Sequence, residues 1–382
     1  MPMSNQNEIH GAYELGQSFW LDYIRRDLLE DGELDRLIQD KEIRGVTSNP
    51  SIFRKAIADS DLYLAAMQPL AHAGWDGERI FEALAVEDIR AATDLFLPLY
   101  ESTDGGDGFV SMEVNPELAA DTQKTLEEAR RLWEWVNRPN LLVKIPATQA
   151  GVPAIEQAIF EGININVTLI FSLERYSAVM EAYVVGLERR AEAGEPLERV
   201  ASVASFFVSR VDSAVDPKLE AIVQEGGAEA ERAQALMGKA AIANAKLAYA
   251  MFGSVFESPR FDRLKEAGAR VQRPLWASTS TKNADYSDVL YVEELIGQHT
   301  VNTLPPKTLD AFRDHGAAKP TLAAGQSEAR AQLEELAAVG ISLDEITADL
   351  ERDGVRAFAD AYVSLIETVG ERATDMRTEI EA

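Results

Sequence analysis

Along the chain, short runs rich in β-branched and aromatic residues alternate with longer stretches whose apolar residues recur at helical spacing. The runs expected to form strands are Phe19–Tyr23, Arg44–Asn49, Val110–Val114, Leu141–Ile145, Ile163–Ile170, Val200–Val208, Arg273–Thr279 and His299–Leu304. Between them the period changes. In Leu173–Leu187 the apolar residues Leu173, Tyr176, Met180, Tyr183, Val184 and Leu187 fall on one helical face. Asp121–Val136 and the long Ala-rich stretch Lys218–Phe252 read the same way. Eight strands alternating with helices predict an α/β chain folded as a (β/α)8 TIM barrel rather than an open doubly wound sheet.

Two regions exceed a minimal barrel. Residues 54–108 hold at least two helical segments after the second strand and end in the Gly/Asp-rich loop STDGGDG. Residues 307–382 read as a helical C-terminal extension, with Val355, Phe358, Tyr362, Leu365, Ile366 and Val369 on one stripe, expected to dock on the barrel exterior. No Pro/Gly/Ser-rich linker divides the chain, so residues 1–382 are expected to form a single domain.

One strand carries an oddity. NLLVKIPAT (Asn140–Thr148) puts a lysine, Lys144, at the end of an otherwise apolar run. A lysine there can snorkel to water. It can also serve chemistry, since buried lysine is rare without a partner or a task. Barrel chemistry gathers at the C-terminal strand ends. Those ends read Asp22, Asn49, Glu113, Lys144, Asn166 with Thr168, Ser205 and Ser278. Singly, each is ordinary, because Asn-Pro starts turns and Ser or Thr caps helices. Together they would line one polar mouth. A desolvated amine there can attack a carbonyl and form a Schiff base, an electron sink for C–C cleavage. Neighbouring carboxylates such as Asp22 and Glu113 would move the protons.

Composition narrows the possibilities. A formal net charge of −27 over 382 residues argues against nucleic acid and against anionic membranes. An anionic ligand would need a local cluster of cations. Cysteine is absent, which removes thiolate and disulfide chemistry. His10, His72, His299 and His315 show no metal-ligand spacing, so no metal is expected. No Walker loop, dinucleotide glycine fingerprint or nucleophile elbow occurs, and no organic cofactor is expected. Asn166-Val167-Thr168 matches a glycosylation acceptor only in letters, since it falls inside a strand. The polar N-terminal residues and the lack of a long apolar stretch predict a cytoplasmic protein without a membrane segment.

Five strings then combine: GVTSNPSIF, LLVKIPAT, GININVTLIFS, SFFVSR and ASTSTKN, in this order and with the lysine on the fourth strand. Together they resemble transaldolases, over about Phe19 to Pro306, and the helical tail is similar to that family's C-terminal extension. The resemblance implies a transferase of the pentose phosphate pathway that works without a cofactor. It would carry a dihydroxyacetone unit from sedoheptulose 7-phosphate to glyceraldehyde 3-phosphate, giving erythrose 4-phosphate and fructose 6-phosphate. Its partners would be phosphorylated ketoses and aldoses, and a monomer and a homodimer are both compatible with it. By the same resemblance Lys144 is the Schiff-base lysine, Asp22 the acid/base, and Glu113 with Thr168 the holders of a catalytic water. Asn49, Asn166 and Ser205 would bind the three-carbon unit, and Arg210, Ser280 and Lys282 the phosphate. Lys282 departs from the pattern, which often has arginine there, and lysine lacks arginine's bidentate fork. A simple aldolase on the same scaffold and a non-catalytic phosphosugar-binding barrel are the rival readings.

Overall fold

A computed structural model describes residues 8–58 and 60–381. The strands are β1 (Gln17–Leu21), β2 (Gly45–Val46), β3 (Phe109–Glu113), β4 (Leu141–Pro146), β5 (Ile165–Ile170), β6 (Ser202–Phe207), β7 (Arg273–Ala277) and β8 (Thr300–Leu304). They pair in chain order, all parallel, and β8 closes on β1. All eight expected strands are present, and the (β/α)8 barrel is confirmed. The second is much shorter than expected: only Gly45–Val46 is strand, and Thr47–Asn49 runs on into the site.

Period-two alternation separates two layers. Trp20, Phe109, Leu142, Val203, Leu275 and Val301 pack together in one cluster inside the barrel. Their neighbours Leu21, Val110, Leu141, Val143, Ala204 and Trp276 belong to the larger core under the helices. Residues two or four positions further along each strand therefore also face inward, at the C-terminal end. This places Asp22, Glu113, Lys144 and Ser205 around one axis.

The helical regions hold one correction. Lys218–Phe252 is not one helix but parts of three, Ser209–Glu225, Ala230–Leu236 and Ala240–Phe256. Gly226 and Gly227 take φ of +75° and +90°, which ends the first, and Gly238 at +68° separates the others. The 54–108 region carries three helices, Pro50–Ala58, Leu64–His72 and Gly77–Ser102. Leu173–Glu192 and Thr122–Val136 match expectation, capped by the side chains of Ser172 and Asp121.

The tail ends in a 39-residue helix, Leu343–Glu381. It crosses Gly77–Ser102 closely: a Cβ on Gly77 would lie 2.5 Å from the Ile366 carbonyl oxygen and 2.8 Å from the Gly370 nitrogen. Tyr362 adds a hydrogen bond to Glu78 (2.8 Å), and edge-on ring contacts link Phe53, Phe81 and Tyr362. The helix also reaches the end of β5 and the helix Ser209–Glu225. The expected docking on the barrel exterior is thus only half of its course, since its middle lies over the barrel mouth. Among the described residues no helix is long and apolar enough to cross a membrane.

Candidate active site

Strand register builds the centre of the site. Glu113 on β3 pairs with Lys144 on β4, which pairs with Asn166 on β5, so three adjacent strands present a carboxylate, an amine and an amide in one row. Lys144 is 5 % exposed and does not snorkel. Its Nζ donates to the Ser48 carbonyl oxygen (3.0 Å), lies 3.3 Å from Glu113 Oε2 and sits 5.5 Å from the Phe358 ring centre. Asn166 is fixed at both ends: its Nδ2 donates to Ser111 Oγ (3.0 Å) and its Oδ1 accepts from Ser205 Oγ (2.7 Å).

Burial pushes the Glu113 carboxyl up to about 7, opposing Lys144, which pulls it down; the charge of Asp22 adds a smaller upward push. Its Oε1 and Thr168 Oγ1 are buried without a hydrogen-bond partner among the described residues. Glu113 also lines a small pocket of about 20 Å³ that is bordered by Pro50, Phe53, Phe81 and Tyr362 and not by Lys144 or Thr168. Asp22 follows β1 and accepts a hydrogen bond from Thr47 (2.7 Å), whose hydroxyl also meets that of Thr303 on β8 (2.6 Å). Burial raises its pKa, while Lys144, the Thr47 bond, Arg210 and Lys282 draw it back. Burial thus raises two carboxyls that both feel the charge of the Lys144 amine above their ordinary values.

The rim is cationic. Arg210 lies against the Phe207 ring (5.1 Å) at the start of the helix after β6. Lys282, in the loop after β7, donates to Ser280 Oγ (2.7 Å). Burial lowers the pKa of both, and Arg210 lowers Lys282 further. Two cations are thus held together at the rim against their mutual repulsion, a cluster chemically suited to an anion. Asn49 caps the helix Pro50–Ala58, its Oδ1 accepting from the Ile52 N–H (3.0 Å), so the turn role and the site position coincide.

Two bulky or polar non-glycine residues at the mouth adopt left-handed backbone: Leu169 (φ +59°) at a register shift in β5, and Ser278 (φ +56°) after β7. Such conformations persist where surroundings enforce them, and they re-aim neighbouring side chains.

A cavity of about 180 Å³ unites these elements. Asp22, Asn49, Lys144, Thr168, Ser205, Arg210, Ser280 and Lys282 line it, while Glu113 and Asn166 do not line it but contact the lining residues Lys144 and Ser205. All ten expected residues converge. Sequence reasoning missed Thr47, Thr303 and Phe358, which also line the cavity. The threonines look like ordinary strand formers, and nothing in their spacing sets them apart from other β-branched strand residues. No cluster of His, Asp or Glu suited to a metal occurs among the described residues.

Comparison with known proteins agrees with this geometry. A family model described as transaldolase/fructose-6-phosphate aldolase matches residues 19–369. A transaldolase of Mycolicibacterium paratuberculosis is 51 % identical over 354 residues, covering 92 % of this chain and 93 % of that protein. One of Thiobacillus denitrificans is 51 % identical over 356 residues, covering 93 % and 98 %. That of Mycobacterium tuberculosis is 49 % identical over 354 residues, covering 92 % and 93 %.

Proposed function

The chain belongs to the transaldolase/fructose-6-phosphate aldolase family, and from that premise we propose how its residues carry out transaldolase chemistry. The Lys144 amine attacks the ketose carbonyl and forms an imine with loss of water. Glu113 takes and returns the protons, through a water held with Thr168. Asp22 removes the hydroxyl proton as the C–C bond breaks, releasing the first aldose. The three-carbon enamine, hydrogen-bonded by Asn49, Asn166 and Ser205, then adds to the acceptor aldehyde, and hydrolysis frees the new ketose. The observation carrying this reading is the buried row Glu113–Lys144–Asn166 inside a closed barrel.

The substrates follow from the rim. Sedoheptulose 7-phosphate and glyceraldehyde 3-phosphate present an anion at the end away from the reacting carbonyl, opposite Arg210, Ser280 and Lys282. This local positive rim on a chain of net charge −27 accounts for how an acidic protein serves an anionic substrate. The C-terminal extension acts with the barrel as one unit, its helix Leu343–Glu381 roofing this mouth through Phe358. A soluble, cytoplasmic setting suits such substrates.

Turnover should require a supplied aldehyde. With fructose 6-phosphate alone, product should stop near one equivalent of enzyme; sustained cleavage without acceptor would instead make the chain a simple aldolase. Charge-assisted hydrogen bonds contribute about 1.5–3 kcal/mol, so Arg210→Ala should raise KM for the phosphorylated donor about 10- to 100-fold. Because the arginine grips the substrate far from the bond that breaks, kcat should change much less. Steady-state kinetics check this, and a KM within twofold of wild type would remove Arg210 from phosphate binding.

A further inference from the structure

Among the described residues, Phe358 is the one that lines the cavity from outside the barrel and its βα-units. It is 5 % exposed, although it belongs to the C-terminal helix Leu343–Glu381. Its ring stands over the Lys144 amine at 5.5 Å and borders the cavity shared by Asp22 and Arg210. The approach is enabled one turn earlier. A Cβ on Gly354 would meet Leu169 Cδ2 at 3.0 Å and lie 3.7 Å from Arg210 Nη1, so the helix runs close over the end of β5 at this glycine. Leu350 and Val355 pack into the same apolar cluster as Phe358, Leu169, Phe171 and Phe207. The crossing at Gly77 and Gly370 holds the helix further along. The roof is therefore fixed by packing, with one aromatic face turned onto the reacting nitrogen.

We infer that Phe358 is a positioning residue that retains the three-carbon unit on Lys144 by shielding it from bulk water until an aldehyde arrives. The inference rests on the Lys144 imine reading. Leakage has two steps. A proton from water joins the enamine carbon, giving an iminium. Water then adds across the C=N bond, its oxygen going to carbon, the C–N bond breaks, and neutral dihydroxyacetone leaves the regenerated lysine. The sum is enamine plus one water giving free amine plus dihydroxyacetone, with no oxidant or reductant. Productive transfer instead joins the enamine carbon to the aldehyde carbon. A dry apolar face over the nitrogen slows leakage while leaving the aldehyde's route open.

The test is the ratio of free dihydroxyacetone to transferred ketose, with fructose 6-phosphate as donor and erythrose 4-phosphate as acceptor. Phe358→Ala should raise this ratio at least about tenfold by admitting water. Phe358→Leu, which keeps apolar bulk, should restore most of the wild-type ratio, a rescue that general loosening would not give. Phe358→Val replaces the alanine variant if that chain does not fold, with the same direction expected. A ratio unchanged within twofold in the truncated variant overturns the shielding role. Borohydride trapping on the wild-type enzyme runs alongside: failure to trap there would overturn the Lys144 reading itself, separately from Phe358.

Discussion

Lys144→Ala is expected to lower kcat/KM by roughly 10⁴-fold or more, because the other amine of the cavity, Lys282, lies in the loop after β7 beside Ser280, without the Glu113 and Asn166 partners that flank Lys144. The fold should survive. Removing one member of a buried ion pair is ordinarily costly, about 3–5 kcal/mol, since the partner is left charged and alone. Here the partner has an escape. Glu113 already titrates near 7 under burial, and Lys144 is the main influence pulling it down. Without the lysine the carboxyl rises further and stays neutral at pH 7. The sign of the stability change follows. A carboxyl raised in the folded state contributes stability that is fully present below its ordinary value of 4.5 and is lost as pH climbs through the folded value. Thermal unfolding of Lys144→Ala should therefore show a stability that declines from pH 5 to pH 8 more steeply than in wild type. Residual turnover above a trace would assign the nucleophile elsewhere.

Glu113→Gln is expected to slow imine formation by about 10²- to 10⁴-fold, the usual contribution of a positioned proton-transfer group. Affinity for the phosphorylated donor should hardly change, since Arg210 and Lys282 line the cavity and Glu113 meets it only through Lys144. The pH profile gives an independent check. Glu113 must be ionised to accept a proton, and its carboxylate fraction grows as pH rises through about 7. Wild-type imine formation should accordingly increase from pH 6 to pH 8, and the glutamine variant should lack that inflection. Stopped-flow mixing with fructose 6-phosphate measures both. Unchanged kinetics would take Glu113 out of the mechanism.

Much of this was legible in the chain itself, and the reason is periodicity. A strand alternates faces, so a lysine two positions after Leu142 in LLVKIP has to share its inward side. The same rule places Glu113 after Ser111 and Asp22 after Trp20. What the barrel adds is register, which brings Glu113, Lys144 and Asn166 level and cannot be read from any one strand.

The misreadings have equally local causes. In Lys218–Phe252, alanine-rich helical spacing continues on both sides of Gly226–Gly227 and Gly238, and the turns there depend on positive φ rather than on a change of pattern. Arg44–Asn49 reads as a full strand from its composition, yet only Gly45–Val46 is strand before the chain bends to let Asn49 cap the next helix. Phe358 was legible as apolar but not as part of the site. Its stripe fits any docking surface, and only the close approaches at Gly354 and at Gly77 direct the helix across the mouth.

The central claim is a covalent bond between Lys144 and a three-carbon unit. Treating the enzyme with fructose 6-phosphate and borohydride, then weighing its peptides, tests that bond most directly. The peptide containing Leu141–Pro146 should gain one reduced dihydroxyacetone unit on Lys144, and Lys144→Ala should gain none. An unmodified wild-type chain, or an adduct on any other lysine, would contradict the mechanism.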